Sequence, residues 1–120
     1  MTVLPDDFLD KKVCVLGMGY VGLTLAVAMA RAGFSVHGLE VRNDVIMTLK
    51  RGKAHFWEKN LDTNLRQAIN NGNFTFSEGL DKSIDASVYI VTVGTPLDSN
   101  NRARLDMIKN AVQQISSHMS

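Results

Sequence analysis

Two kinds of segment alternate along the chain. Short apolar runs bounded by glycine or polar residues predict β-strands over residues 12–17, 35–41, 74–76 and 87–93. Longer segments without proline predict helices over residues 20–32, 43–51, 61–69 and 105–117, and residues 84–86 predict the close of a brief helix or turn. The connecting segments 53–60 and 94–104 are polar and are predicted to be loops.

The order of these elements predicts an α/β fold. Strands that alternate with helices form a mostly parallel sheet, with helices on both faces, through right-handed crossovers. A complete doubly wound dinucleotide domain has about six strands, and only four are predicted here. We therefore expect residues 1–120 to form one partial domain that is truncated after about four strands, with residues 1–11 as a lead-in.

Composition refines this prediction mainly by excluding classes of protein. The net charge of +1 gives no sign of a nucleic-acid partner. The apolar stretch 13–30 contains three glycines and no cleavage pattern, so it predicts neither a membrane span nor a signal peptide. Cys14, the single cysteine, excludes an intrachain disulfide, and the three scattered histidines form no metal-binding spacing. A cytoplasmic protein without a metal site is expected.

A G-x-G-x-x-G motif begins at Gly17, between the first predicted strand and the first predicted helix. Gly17 permits a tight turn, Gly19 lets a pyrophosphate approach the backbone, and Gly22 lets the helix pack closely on the strand. The free backbone N–H groups of the first helical turn, near Tyr20 and Val21, face the phosphates at the positive end of the helix dipole. The motif therefore predicts a Rossmann-type dinucleotide site.

Glu40 lies 18 residues after Gly22, at the end of the second predicted strand. An acidic residue at about this distance accepts hydrogen bonds from the adenosine ribose hydroxyls and repels a 2′-phosphate, so it favours NAD over NADP. Arg42 complicates the choice. An arginine beside this position accommodates a 2′-phosphate or stacks on the adenine ring.

The sequence V-G-T-P at residues 93–96 follows the fourth predicted strand. Ligands of open parallel sheets bind beyond the carboxyl ends of the strands. This loop is therefore expected beside the glycine turn, where Val93, Gly94 and the Thr95 hydroxyl would contact the cofactor. The residues alone allow a plain exit from the strand equally well.

From residue 12 onward the sequence resembles the UDP-glucose/GDP-mannose dehydrogenase family. The strings G-M-G-Y-V-G-L at 17–23, G-L-E-V at 38–41 and V-G-T-P at 93–96 follow the family's order and spacing. The resemblance implies oxidation of the C6 alcohol of a UDP- or GDP-linked sugar to the uronate with two NAD per turnover, for polysaccharide precursor synthesis. It also implies cofactor contacts by Tyr20, Val21, Glu40 and Thr95.

Some residues depart from the family pattern or point to different branches. The family's E-P-G-L is E-K-N-L here, at residues 58–61, and Arg42 replaces a small polar or acidic residue. His55 and Glu58 are similar to the N-acetylmannosamine branch, whereas Gly94 before Thr95 is similar to the GDP-mannose branch. The resemblance therefore leaves the sugar open.

The family's catalytic cysteine, lysine, asparagine and aspartate have no counterpart in these residues, and Cys14 is predicted to be a core residue. We therefore expect no catalytic residue here and no activity from this chain alone. One alternative is a regulatory dinucleotide-binding module of the potassium-channel sensor type. Another is a dehydrogenase of the 6-phosphogluconate or hydroxyacyl type, which Glu40 disfavours.

The fourth predicted strand is expected to have an unpaired outer edge. Exposed apolar strand edges tend to pair with another chain. We therefore expect self-association through residues 87–93, or else a marginally stable monomer.

Overall fold

A computed structural model describes residues 11–80, 84–94, 99–102 and 104–119. Within these ranges the chain forms four strands and four helices. The strands are β1 (Lys12–Leu16), β2 (Ser35–Leu39), β3 (Phe74–Ser77) and β4 (Val88–Val91). The helices are α1 (Tyr20–Arg31), α2 (Asn43–Lys50), α3 (Leu61–Asn70) and α4 (Asp106–Met119).

The four strands form one parallel sheet in the order β3-β2-β1-β4. β1 is therefore central, and Leu16 at its carboxyl end pairs with Leu39 of β2 and with Val91 of β4. This register brings the carboxyl ends of three strands to one edge of the sheet. In parallel sheets that edge is where ligands bind.

Side chains of β1 alternate between two hydrophobic clusters, because successive residues of a strand point to opposite faces. Val13 and Val15 pack in the larger cluster with residues of α1, α2 and α3. Cys14 and Leu16 pack in the smaller cluster, which includes Ala111 of α4. Helices thus cover both faces of a parallel sheet, which confirms the predicted α/β class.

Three of the four strands end earlier than the sequence pattern predicted, whereas β3 extends one residue further, to Ser77. β2 ends at Leu39 rather than at residue 41, and β4 ends at Val91 rather than at residue 93. The cause is the chain turn at Gly17, where φ is +99° and β1 ends. Beyond Leu16 the neighbouring strands therefore have no extended partner.

Two further expectations were wrong in detail. Residues 84–86 have no regular secondary structure, although they were predicted to close a helix or turn. β4 was predicted to be a buried strand, but Val88 is 41% exposed and the other three residues are half-buried. The physical reason is that β4 lies at an edge of the described sheet, where one side lacks a neighbouring strand. Within the described ranges, no helix has the length and apolar character that a membrane crossing needs.

Self-association through the β4 edge stays a prediction, which sedimentation velocity tests. We expect the chain to form concentration-dependent dimers or larger species, because the outer edge of β4 pairs with no other described strand. Val88→Lys places a charge at this edge and should shift the distribution toward monomer. Met47→Lys, at a similarly exposed apolar position on α2, is the matched control and should change nothing. A wild-type chain that stays monomeric at millimolar concentration contradicts the prediction.

Candidate functional site

The turn between β1 and α1 depends on a close approach of backbone to backbone. A Cβ on Gly22 would overlap the carbonyl oxygen of Gly17, so only glycine fits at this position. The Gly17 N–H donates to the Leu39 carbonyl at 2.8 Å, which joins the turn to β2. The Thr92 hydroxyl lies 2.9 Å from the carbonyl oxygens of both Leu16 and Gly17, which joins the turn to β4. The turn is therefore held from both sides.

The N-terminus of α1 has no capping side chain. Gly19 is the N-cap in an extended conformation, and the first turn contains no acidic residue. A Cβ on Gly19 would meet nothing within 4 Å, so the space in front of the helix is free of protein atoms. The first N–H groups of a helix have no partner within it and lie at its positive end. These properties fit a bound phosphate group.

Glu40 is the one buried charged residue in the described core, with 6% of its surface exposed. Its Oε1 accepts hydrogen bonds from the Met18 N–H at 3.0 Å and from Arg42 Nη2 at 3.1 Å. Its Oε2 accepts from the Arg42 N–H at 3.1 Å and from Arg42 Nε at 3.3 Å. Burial acts to raise the pKa of Glu40, but the hydrogen bonds from Arg42 and Met18 outweigh it and hold the pKa below its usual value.

A cavity of about 1200 Å³ lies beyond the carboxyl ends of β1, β2 and β4. The glycine turn and Glu40 line one part of it, and residues of α4 such as Asn110 and Gln114 line another. Its volume is above the range of about 300–1,000 Å³ that is typical of small-molecule pockets. Because the lining comes from both the glycine turn and α4, a ligand that fills this space would contact both.

The structure brings six of the residues predicted from sequence to this cavity: Gly17, Gly19, Glu40, Arg42, Val93 and Gly94. Tyr20 and Val21 are exposed in the first turn of α1 and are not part of the cavity lining. Gly22 is buried behind the turn and serves packing. Thr95 lies outside the described residues.

Sequence reasoning missed how the loop at residues 53–60 contacts the glycine turn. His55 Nε2 lies 2.6 Å from the Met18 carbonyl oxygen, and the Tyr20 hydroxyl donates to Glu58 Oε2 at 2.7 Å. The Phe56 ring packs on Tyr20 with 5.1 Å between ring centroids. These partners are 37 and 38 residues apart in sequence, so no local pattern indicates the contact.

Cys14 is a core residue, as predicted. It is completely buried, and burial raises the pKa of its thiol to about 11. Because the thiolate is the nucleophilic form, this side chain is unsuited to covalent catalysis. Among the described residues, no group of three histidine, cysteine or acidic side chains could hold a metal ion.

Comparison with known proteins adds to this geometry. Residues 11–120 match the family model described as the UDP-glucose/GDP-mannose dehydrogenase family, NAD binding domain. A UDP-N-acetyl-D-mannosamine dehydrogenase from Pyrococcus horikoshii is 30% identical over 108 residues, which are 90% of this chain and 26% of that protein. A UDP-glucose 6-dehydrogenase from Pseudomonas aeruginosa is 30% identical over 109 residues, which are 90% of this chain and 24% of that protein.

A solved structure with the same fold is a ternary complex of GDP-mannose dehydrogenase from Pseudomonas aeruginosa. It superposes with a TM-score of 0.84 at 27% identity, over 89% of this chain and 25% of that one. The chain thus spans about a quarter of the length of each of these three dehydrogenases.

The ion pair between Glu40 and Arg42 should make the free energy of unfolding fall as the pH is lowered. Because the pKa of Glu40 is lowered by folding, its contribution is present above the unfolded pKa of about 4.5 and is lost as pH falls through the folded pKa. We expect wild type to exceed Glu40→Gln in free energy of unfolding at pH 7, with the difference shrinking below pH 4.5. Urea denaturation at several pH values measures it. Glu78→Gln, which removes a charge from the same cavity, is the reference, and a pH-independent gap between wild type and Glu40→Gln contradicts the assignment.

The contact between the loop and α1 can be followed by the titration of Tyr20. The hydrogen bond to Glu58 and its negative charge raise the pKa of Tyr20. In a Tyr89→Phe background Tyr20 is the remaining tyrosine, and absorbance at the tyrosinate band reports its ionisation. We expect Glu58→Ala to lower the midpoint and Glu78→Ala to leave it unchanged. Equal midpoints for all three proteins would mean that the loop does not hold Tyr20 in solution.

Proposed function

The chain belongs to the UDP-glucose/GDP-mannose dehydrogenase family, and we propose that it binds NAD for a nucleotide-sugar 6-dehydrogenase. In this proposal the enzyme oxidises the C6 alcohol of a UDP- or GDP-linked sugar to the uronate, as a step toward polysaccharide precursors. The observation that carries the cofactor role is the uncapped N-terminus of α1, which opens toward the cavity that Glu40 also lines.

Each part of the cavity suits one part of a dinucleotide. Gly19 lines the cavity, and the backbone N–H groups of Gly19 and of the adjoining Tyr20 suit the pyrophosphate, because the first N–H groups of a helix have no partner within it and lie at its positive end. Glu40 suits the adenosine ribose, because its carboxylate is buried at the end of β2 and stays ionised. Val93 and Gly94 line the cavity beyond β4, on the other side of the turn. Bound NAD supplies the hydride acceptor, and the residues of this chain bind and orient it.

The residues of the chain supply cofactor binding rather than chemistry on the sugar. Cys14 is buried and its thiol has a pKa of about 11, so it does not attack a substrate. We therefore propose that residues 1–120 form a partial NAD-binding domain, and that this chain alone does not oxidise a sugar.

The identity of the sugar does not follow from His55 and Glu58. His55 contacts the Met18 carbonyl and Glu58 contacts Tyr20, so both side chains act on the glycine turn. One of the two relatives described above is a dehydrogenase of UDP-N-acetyl-D-mannosamine, and the other is a dehydrogenase of UDP-glucose. We therefore keep the proposal at the class of UDP- or GDP-linked sugars. The regulatory potassium-channel module considered from sequence finds no support in the family match.

Calorimetric titration with NAD and with NADP tests the cofactor role. We expect wild type to bind NAD more tightly than NADP, because Glu40 repels a 2′-phosphate. Gly19→Ala places a methyl group in the path of the pyrophosphate and should weaken NAD binding about tenfold or more. The free energy of unfolding should change little, because a Cβ there meets nothing within 4 Å.

Gly79→Ala is the matched control, since a Cβ on this glycine also meets nothing within 4 Å and the residue does not line the cavity. It should bind NAD as wild type does. Two results contradict the proposal: no NAD binding by the folded wild-type chain, or equal NAD affinity in wild type and Gly19→Ala.

A further inference from the structure

The guanidinium of Arg42 lies on the carboxylate that the proposed function assigns to the ribose. Its Nη2 is 3.1 Å from Oε1 of Glu40 and its Nε is 3.3 Å from Oε2, so each carboxylate oxygen takes one guanidinium N–H. The N–H groups of Met18 and Arg42 take one further position on each oxygen. An ionised carboxylate has about four acceptor positions, and all four are filled from within the protein.

The four hydrogen-bond donors to Glu40 differ in how easily each can move away from the carboxylate. The Met18 N–H is fixed by the turn that follows Gly17, and the Arg42 backbone is fixed because its carbonyl accepts the Ile46 N–H in the first turn of α2. The Arg42 side chain is 53% exposed, whereas the Glu40 side chain is 7% exposed. Only the guanidinium can move into solvent without disturbing the backbone.

A ribose diol and a guanidinium present the same pattern of donors. The two adjacent hydroxyls donate two hydrogen bonds to the two oxygens of one carboxylate, and the planar guanidinium donates two N–H groups in the same way. Both therefore require the same two positions on Glu40. The ligand and the side chain are alternatives at this carboxylate.

We propose that Arg42 is a specificity-determining residue that closes the ribose position of Glu40 until the cofactor displaces it. This inference rests on the proposed function. The displaced guanidinium remains a cation beside Glu40, since Arg42 is only two residues away. Arg42 therefore weakens NAD binding and offsets the repulsion that Glu40 exerts on a 2′-phosphate. Its net effect is to narrow the preference of the site for NAD over NADP.

Arg42→Met tests this role, because methionine keeps an extended apolar side chain and removes the competing donors. We expect the variant to bind NAD roughly two- to fivefold more tightly than wild type, because losing a partly exposed ion pair changes a free energy by up to about 1 kcal/mol. NADP should bind more weakly than to wild type, because Glu40 then repels its 2′-phosphate without an opposing cation. The ratio of NAD to NADP affinity should therefore rise by more than the gain in NAD affinity alone.

Two further variants separate the effect of the paired guanidinium N–H donors from the effect of the positive charge. Arg42→Lys keeps the positive charge but lacks the planar pair of donors, so its NAD affinity should lie between those of wild type and Arg42→Met. Arg51→Met removes the same charge from an exposed residue at the end of α2 that does not line the cavity, and its affinities should match wild type. Calorimetry with NAD and NADP measures all four proteins, and urea denaturation confirms that each is folded.

The outcomes distinguish this inference from the proposed function. If wild type binds NAD and Arg42→Met binds it equally or less tightly, or if the ratio of NAD to NADP affinity is unchanged, the inference is wrong and the proposed function stands. If neither wild type nor Arg42→Met binds NAD while both are folded, the proposed function is wrong and the inference falls with it. A rise in NAD affinity with a higher NAD to NADP ratio supports both.

Discussion

The site depends on the contact between α1 and the end of β1, where Gly22 lies against the Gly17 carbonyl without room for a side chain. This contact points the uncapped end of α1 at the edge of the sheet where β1, β2 and β4 finish. Thr92 reinforces it with one hydroxyl shared between the carbonyls of Leu16 and Gly17. A larger side chain at Gly22 would separate helix and strand, and the positions proposed for the phosphate and the ribose would lose their common cavity.

The buried carboxylate of Glu40 is the second constraint, and it follows from the first. A charge at 6% exposure requires hydrogen-bond partners, and the turn supplies the first of them through the Met18 N–H. Arg42 supplies the others and favours the ionised form of Glu40. The hydrogen bonds that stabilise the buried carboxylate thus use the same acceptor positions that a ribose would need, so the stability of the protein and its proposed affinity for a cofactor oppose each other at this residue.

Local patterns in the sequence predicted the order of strands and helices, the parallel sheet and the glycine turn, because each depends on residues close together in the chain. The ends of β2 and β4 could not be predicted this way, since they are determined by where their neighbour β1 stops. The contacts of His55 with Met18 and of Thr92 with Gly17 join residues 37 and 75 positions apart. The sequence indicated that Arg42 lies near Glu40, but whether its side chain faces the carboxylate or a ligand depends on a rotamer that no pattern encodes.

We propose that the end of α1 and the residues after β4 bind one dinucleotide together, and amide NMR of the chain during titration with NAD is the decisive measurement. We expect the largest shifts at the amides of Gly19, Tyr20, Val21 and Gly94, and no change at Gly72, which lies before β3 at the opposite edge of the sheet. The proposal would be contradicted if no amide shifted, or if the shifts clustered around Trp57 in the loop at residues 53–60 while the Gly19 amide stayed unchanged.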